Sequence, residues 1–149
     1  MVLMIQVAND SVTIANRLRP ALLRLARELR REVHSLGVTG GQVSLLAQIS
    51  ANPDITASEL AERERISAPG MSGHLGRLES AGLIERARAS DRRRIGLTVT
   101  EEGERVLRSV RKRRTAWLVE HLNGLTDDER EQIEAAIEPL ERLLEARRG

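Results

Sequence analysis

The chain of 149 residues has no cysteine, which excludes disulfides, thiolate metal sites and cysteine-based redox sensing together and fits a reducing compartment. No run approaches the roughly 18 consecutive apolar residues of a membrane-spanning helix, so no membrane partner is expected. The opening MVLMIQVA is apolar, but no basic flank precedes it and no small-residue cleavage pattern follows it. It does not read as a signal peptide, and the expected location is the cytoplasm. Aromatic rings are nearly missing, Trp117 being the one apart from histidine. There is no G-x-S-x-G elbow, no glycine-rich phosphate loop, no cysteine nucleophile and no pair of histidines at metal-ligand spacing. These absences disfavour an enzyme and leave no cofactor to expect. Internal repeats and low-complexity segments are also absent.

What is present is charge, unevenly placed. The formal net charge is only +2, yet Arg86, Arg88, Arg92, Arg93 and Arg94 stand against the single acid Asp91 in one short stretch. Between 127 and 145 the balance reverses, with acids far outnumbering Arg130 and Arg142. One end of the molecule should attract phosphate and another repel it. Nearly every basic residue is arginine, Lys112 being the only lysine; this suits bidentate phosphate contacts, and genome composition explains it equally well.

The periodicity predicts helices. Ile14, Leu18, Leu22, Leu25 and Leu29 form one stripe of a helix that should follow a short tail and run to about Ser35. Pro20 inside it predicts either a kink or a later start. Arg17, Arg19, Arg24, Arg27, Arg30 and Arg31 lie largely off that stripe, as a solvated face or as one turned to phosphate or a partner. A turn at Gly37 and a start near Thr39 introduce a second helix, with Val43, Leu46 and Ile49 inward, that ends near Asn52 where Asn-Pro-Asp breaks it. Thr56 and Glu59 have the spacing of a reciprocal capping box for a third helix ending near Arg65. Ser67 can cap a fourth, with Pro69 in its first turn, that runs over 68–80 until Gly82 stops it.

Two short helices joined by a brief turn make a helix-turn-helix, a moderate signal alone. The β-prone runs 83–87 and 95–99 then flank the polar ARASDRRR, which predicts a hairpin with an arginine-rich tip able to lie along a DNA backbone or enter the minor groove. Thr100 opens a fifth helix with acids in its first turn and Val106, Val110, Trp117 and Leu118 on its apolar side. After Asn123-Gly124, Thr126 and Glu129 repeat the capping-box spacing. Ile133, Ile137, Leu140 and Leu144 then stripe a last helix that Pro139 should bend.

Over nearly its whole length the chain resembles the MarR family of bacterial transcription regulators. The resemblance is carried by LGVTGGQ, ITASELAERERIS, the run Leu78-Glu79-Ser80-Ala81-Gly82-Leu83-Ile84, SDRRRIGLTVTEEG and LTDDEREQI, in that order. It implies a mainly α fold of one MarR-like domain over 1–149: a winged helix-turn-helix at 39–99 with a small antiparallel β-wing, and an interleaved helical dimerisation domain from 7–36 and 104–149. It implies a homodimer on a pseudo-palindromic operator in double-stranded DNA, usually a repressor, often released by a small aromatic or phenolic effector. The alternative use of the same fold is a protein-interaction module that binds no DNA.

By carry-over, the recognition segment supplies Ser67, Ala68, Pro69, Ser72, Gly73, His74 and Arg77 as DNA-binding candidates. The wing supplies Arg93 for the minor groove, Asp91 to orient it, and Arg92 and Arg94 for phosphates. Leu18, Leu22, Val110, Ile133, Ile137, Leu140 and Leu144 are the expected dimer interface. Trp117 belongs with core or interface rather than ligand, and the basic run 111–114 reads as a solvated face. One departure stands out: where the family commonly has Thr-Arg, this chain has Ser72-Gly73. With Met71, Leu75 and Leu78 inward, Gly70, Gly73 and Gly76 should all point outward. Each interior glycine costs about 1 kcal/mol relative to alanine, so the row is either a weakened helix or a face cleared for close approach of DNA.

Overall fold

The computed structural model describes residues 2–88 and 93–145. The order of elements is α1 (Val2–Arg31), a 3-10 turn (His34–Leu36), α2 (Gly40–Ala51), α3 (Ala57–Glu64), α4 (Ala68–Ser80), β1 (Ile84–Arg88), β2 (Ile95–Val99), α5 (Glu101–Asn123) and α6 (Asp127–Glu145). The chain divides into two compact units, 1–114 and 115–149, the boundary falling inside α5.

In the first unit, α1 departs from expectation at both ends. It begins at Val2 instead of after a tail, continues through Pro20, and stops at Arg31. A proline removes a single intrahelical donor, and here that loss does not end the helix. The last residues expected in it form the 3-10 turn instead, closed by Gly37 at φ 78°, whose amide donates to the His34 carbonyl. Thr39 then starts α2 with a full capping box: its hydroxyl accepts from the Gln42 amide at 3.1 Å and Gln42 Oε1 accepts from the Thr39 amide at 2.9 Å.

The core of this unit is drawn from residues 33 to 110. Leu46, Leu60, Leu75 and Leu78 are completely enclosed, joined by Val33, Ile49, Met71, Ile84 and Leu97. α4 lies against it on Met71, Leu75 and Leu78, the i, i+4, i+7 face expected. Its end is a Schellman closure: the Gly82 amide donates to the Glu79 carbonyl at 2.9 Å and the Leu83 amide to the Leu78 carbonyl at 3.0 Å, with Gly82 at φ 75°. Because the Leu83 amide is used there, the first strand begins one residue later than predicted, at Ile84. The hairpin is antiparallel, pairing Ile84 with Val99 and Arg88 with Ile95. Leu97 also donates to the Ile55 carbonyl at 2.8 Å, so β2 is bridged to the segment leading into α3. Thr100 closes the circuit: its hydroxyl donates to the Gly82 carbonyl at 2.6 Å and accepts from the Gly103 amide at 3.1 Å.

Val110 is a correction. Expected at a dimer interface, it is 2 % exposed and belongs to the chain's own core. The resemblance placed it at the interface, and in the fold it packs within the chain.

In the second unit, α6 starts on the predicted box, with Thr126 Oγ1 accepting from the Glu129 amide at 3.2 Å and Glu129 Oε2 from the Thr126 amide at 2.9 Å. It continues through Pro139 and has no buried residue. Arg130 donates to the carbonyls of Leu122 and Leu125 at 3.2 and 2.7 Å, satisfying acceptors at the end of α5. Trp117 is half-buried and stacked on His121 with ring centroids 3.8 Å apart.

Candidate nucleic-acid interface

The helix-turn-helix is built from local signals. The Thr56 hydroxyl accepts from the Glu59 amide at 3.2 Å and starts α3. The reciprocal half of the expected capping box is not made, because the Glu59 carboxylate is paired with Arg94 instead. Past the end of α3, Arg65 takes a left-handed conformation at φ 53°, and the Ile66 amide donates to the Ala61 carbonyl at 3.0 Å. That closure turns the chain within three residues to Ser67, whose hydroxyl accepts from the Gly70 amide at 3.2 Å and caps α4.

Along α4, Ser67, Ala68, Pro69, Ser72, Gly73 and Arg77 are exposed and His74 is half-buried. Pro69, Gly73 and Arg77 lie on the outer surface away from the buried leucines, and His74 sits at its flank. A Cβ added at Gly73 or Gly76 would meet nothing within 4 Å. Gly70 is a correction to the predicted row of three: a Cβ there would lie 3.0 Å from Ser67 Oγ and 3.2 Å from Ile66 Cγ2. It faces the turn that caps the helix, and its lack of a side chain leaves room for that cap. Arg77 Nη2 donates to His74 Nδ1 at 3.0 Å, which sets the histidine as acceptor at that nitrogen. Beside them opens a cleft of about 470 Å³ lined by Thr39, Gln42, Leu45, Glu64, Ile66, His74 and Arg77, a feature that sequence periodicity had no means of signalling.

In the wing, Arg88, Arg93 and Arg94 are exposed. Asp91 and Arg92 lie outside the described residues, and with them the expected orientation of Arg93 by Asp91. Two ion pairs were not foreseen. Arg94 is held by Glu59 of α3, and Arg86 Nε of β1 donates to Glu79 Oε2 of α4 at 2.8 Å. Arg94, expected to be available for phosphate, thus already has a carboxylate partner.

Among the described residues, protonation is displaced at the start of α5. A hydrogen bond from Arg105 holds the Glu102 carboxyl below the ordinary carboxylate range, and the same bond raises Arg105. Arg105 Nε to Glu102 Oε2 is 2.9 Å. Among the described residues no group of three histidine, cysteine, aspartate or glutamate side chains could hold a metal ion, and no helix is long and apolar enough to cross a membrane.

The arrangement offers an exposed helix with cleared positions beside an arginine-bearing hairpin, which is the geometry of a winged reader of duplex DNA. Comparison with known proteins agrees. The MarR family profile matches residues 36–95. The chain is 31% identical over 129 residues to an HTH-type transcriptional regulator of Mycobacterium bovis, covering 86% of this chain and 90% of the relative. It is 31% identical over 107 residues to the HTH-type transcriptional repressor MdtR of Bacillus subtilis, covering 71% of this chain and 69% of MdtR. A solved structure from Pseudomonas aeruginosa, assigned as a transcriptional regulator, matches with a TM-score of 0.81 at 33% identity over 91% of this chain and 96% of that one. The mainly helical fold with its two-stranded wing is therefore shared across these regulators, and the chain belongs to the MarR family of DNA-binding transcriptional regulators.

Proposed function

We propose that this regulator works in the cytoplasm as a homodimeric repressor on a pseudo-palindromic operator, and that a small aromatic or phenolic effector releases it. The observation that carries the reading is the open face of α4, where a Cβ added at Gly73 or Gly76 would meet nothing within 4 Å, standing beside the exposed arginines of the wing. With few side chains to reach base edges, recognition leans on the wing and on DNA shape more than on direct major-groove contacts. Pro69, Ser72 and Arg77 supply what direct contact α4 makes, and Arg93 enters the minor groove. The repressor role is supported by the likeness to MdtR.

Dimerisation is supported by apolar residues that stand partly exposed on α1 and α6. Leu22 is 43 % exposed on α1, and Ile133, Ile137 and Leu144 are 45, 51 and 76 % exposed on α6; Leu18 and Leu140 are half-buried on the same helices. The cleft beside α4 is of a size that takes a one-ring ligand. A ligand there would sit against His74 and Arg77 and compete with DNA for them.

The test is binding of the purified protein to a labelled duplex from directly upstream of its own coding sequence, followed across salt concentrations. A dimer neutralising roughly 6 to 10 phosphates shows a steep fall in affinity with salt, and its half-sites lie roughly 34 Å apart in a footprint. Arg93→Ala is expected to weaken binding with the protein still folded. Gly73→Arg is expected to raise affinity, for unrelated duplexes too, and equal or weaker binding by that variant would count against an open groove-facing surface. A protein-interaction module would show no salt-dependent affinity for any duplex. Titration of aromatic acids into the bound complex tests the effector: no release across the panel removes that part of the reading.

A further inference from the structure

The wing hairpin has a charged tether on each strand, and the tethers run to different helices. β2 is approached through Arg94, which pairs with Glu59 of α3. β1 carries Arg86, which pairs with Glu79 of α4 at 2.8 Å. Both pairs are half-exposed, with side chains 44 and 46 % exposed in the first and 37 and 48 % in the second. A two-stranded hairpin has little stability of its own, and beyond the bridge from Leu97 to Ile55 its backbone pairing is internal. Ile84 and Leu97 seat its base in the core, and the two ion pairs add a side-chain tie from the hairpin to each of the two helices. Glu59 also forgoes the local capping bond that its position in the helix would favour, in exchange for a partner 35 positions along the chain.

We infer that Glu59 and Glu79 are positioning residues for DNA binding: through Arg94 and Arg86 they fix the wing against the two helices of the helix-turn-helix and keep those two guanidinium groups from phosphate. The inference rests on the DNA-binding reading and assigns Arg94 a tether instead of a phosphate contact. A guanidinium engaged by a carboxylate has fewer donors left for a phosphate oxygen, and a carboxylate beside a polyanion is better tolerated when its charge is cancelled. Arg93 is the immediate neighbour of Arg94, so the tether at Glu59 also sets where the minor-groove arginine is presented.

Charge exchange separates the two roles of Arg94. Arg94→Glu alone is expected to weaken binding to the upstream duplex by about tenfold, in the range that one close charge reversal produces. Glu59→Arg combined with Arg94→Glu restores the pair with reversed polarity and unchanged net charge. It should return affinity to within about twofold of the parent and restore the salt slope, because the tether does not depend on which partner is cationic. If Arg94 itself meets phosphate, the double variant stays as weak as Arg94→Glu, and the inference is overturned. Glu59→Gln frees Arg94: affinity for a scrambled duplex should rise, discrimination between the two duplexes should fall, and the salt slope should steepen by about one per protomer. Unchanged discrimination and slope would count against the proposal. The corresponding exchange of Glu79 and Arg86 is expected to behave in the same way.

A DNA-free measurement keeps this separate from the parent reading. Amide hydrogen exchange over 84–88 and 95–99 should quicken in Arg94→Glu and in Glu59→Gln and recover in the double variant, with the melting temperature of the core unchanged. If the parent protein binds no duplex, the functional reading fails while this arm still decides whether the tether exists. Identical exchange in all variants would overturn it.

Discussion

Residues 33 to 110 close over a core of their own, whereas the apolar stripes of α1 and α6 stand exposed or half-buried. Leucine serves both regions and meets opposite fates: Leu75 and Leu78 are completely buried, and Leu143 and Leu144 are 60 and 76 % exposed. The difference lies in what the alternating apolar spacing faces. In α4 the stripe meets α3 and the first strand and is buried in the core. In α6 the same spacing yields no buried residue, an apolar surface that on general grounds marks an interaction site. The winged segment thus buries its stripe, and α6 leaves its own exposed.

The sharpest way to break this comparison is Ile137→Glu. If the exposed stripe is a dimer interface, the substitution gives monomers in sedimentation and lowers operator affinity by about 10²- to 10⁴-fold through loss of two-site attachment, while the core of 33 to 110 still unfolds cooperatively. A dimer that persists would remove α6 from the interface. Next in size is Leu78→Ala, expected to destabilise the protein by about 2–5 kcal/mol in denaturant unfolding. The same truncation at Leu144 should cost far less in a monomeric background, and equal costs would erase the distinction between the two regions. Gly103→Ala probes the tight side of the winged segment. Its Cβ would fall 2.3 Å from the Leu83 carbonyl oxygen and 2.5 Å from Val99 Cγ1, so a loss of about 1–3 kcal/mol is expected from overpacking. Gly73→Ala reverses the sign: with open space around it, removing an interior helix glycine should add about 0.5–1 kcal/mol.

The smallest effect is Glu102→Gln. The folded carboxyl has a lowered pKa, so its contribution is present at neutral pH and is lost as pH falls through that lowered value. A slight drop in Tm at pH 7 that vanishes in acid is expected. A larger difference in acid than at pH 7 would contradict the assignment.

Much of this architecture was legible because its signals are local. Thr56, Ser67 and Thr126 cap the helices they were expected to cap, Gly82 ends α4, and the hairpin lies between its two β-prone runs. Each of these depends on residues within three or four positions of one another. What escaped depends on distance along the chain. Glu59 has the spacing of a capping box, and no local rule announces that an arginine 35 positions on will take its carboxylate. Val110 carries the same periodicity as an interface residue and differs only in what the folded chain places over it. Gly70 shares the outward phase of Gly73 but sits in the first turn, where the cap occupies the space. The site residues of α4 emerged on one exposed face because helical phase is itself local; the pairing of the wing arginines is tertiary.

Gly96 is buried in β2, and a methyl group at that position would lie 2.9 Å from the Asp54 Cα. A regulator acquires new target sites through inherited variation, and contacts of this kind divide the glycines into positions that can drift and positions that cannot. Gly73 and Gly76 have room for a Cβ with nothing within 4 Å, so the groove-facing helix has room to sample new preferences one codon at a time. Position 96 has no such freedom, and descendants of this protein that read other operators should still carry glycine there.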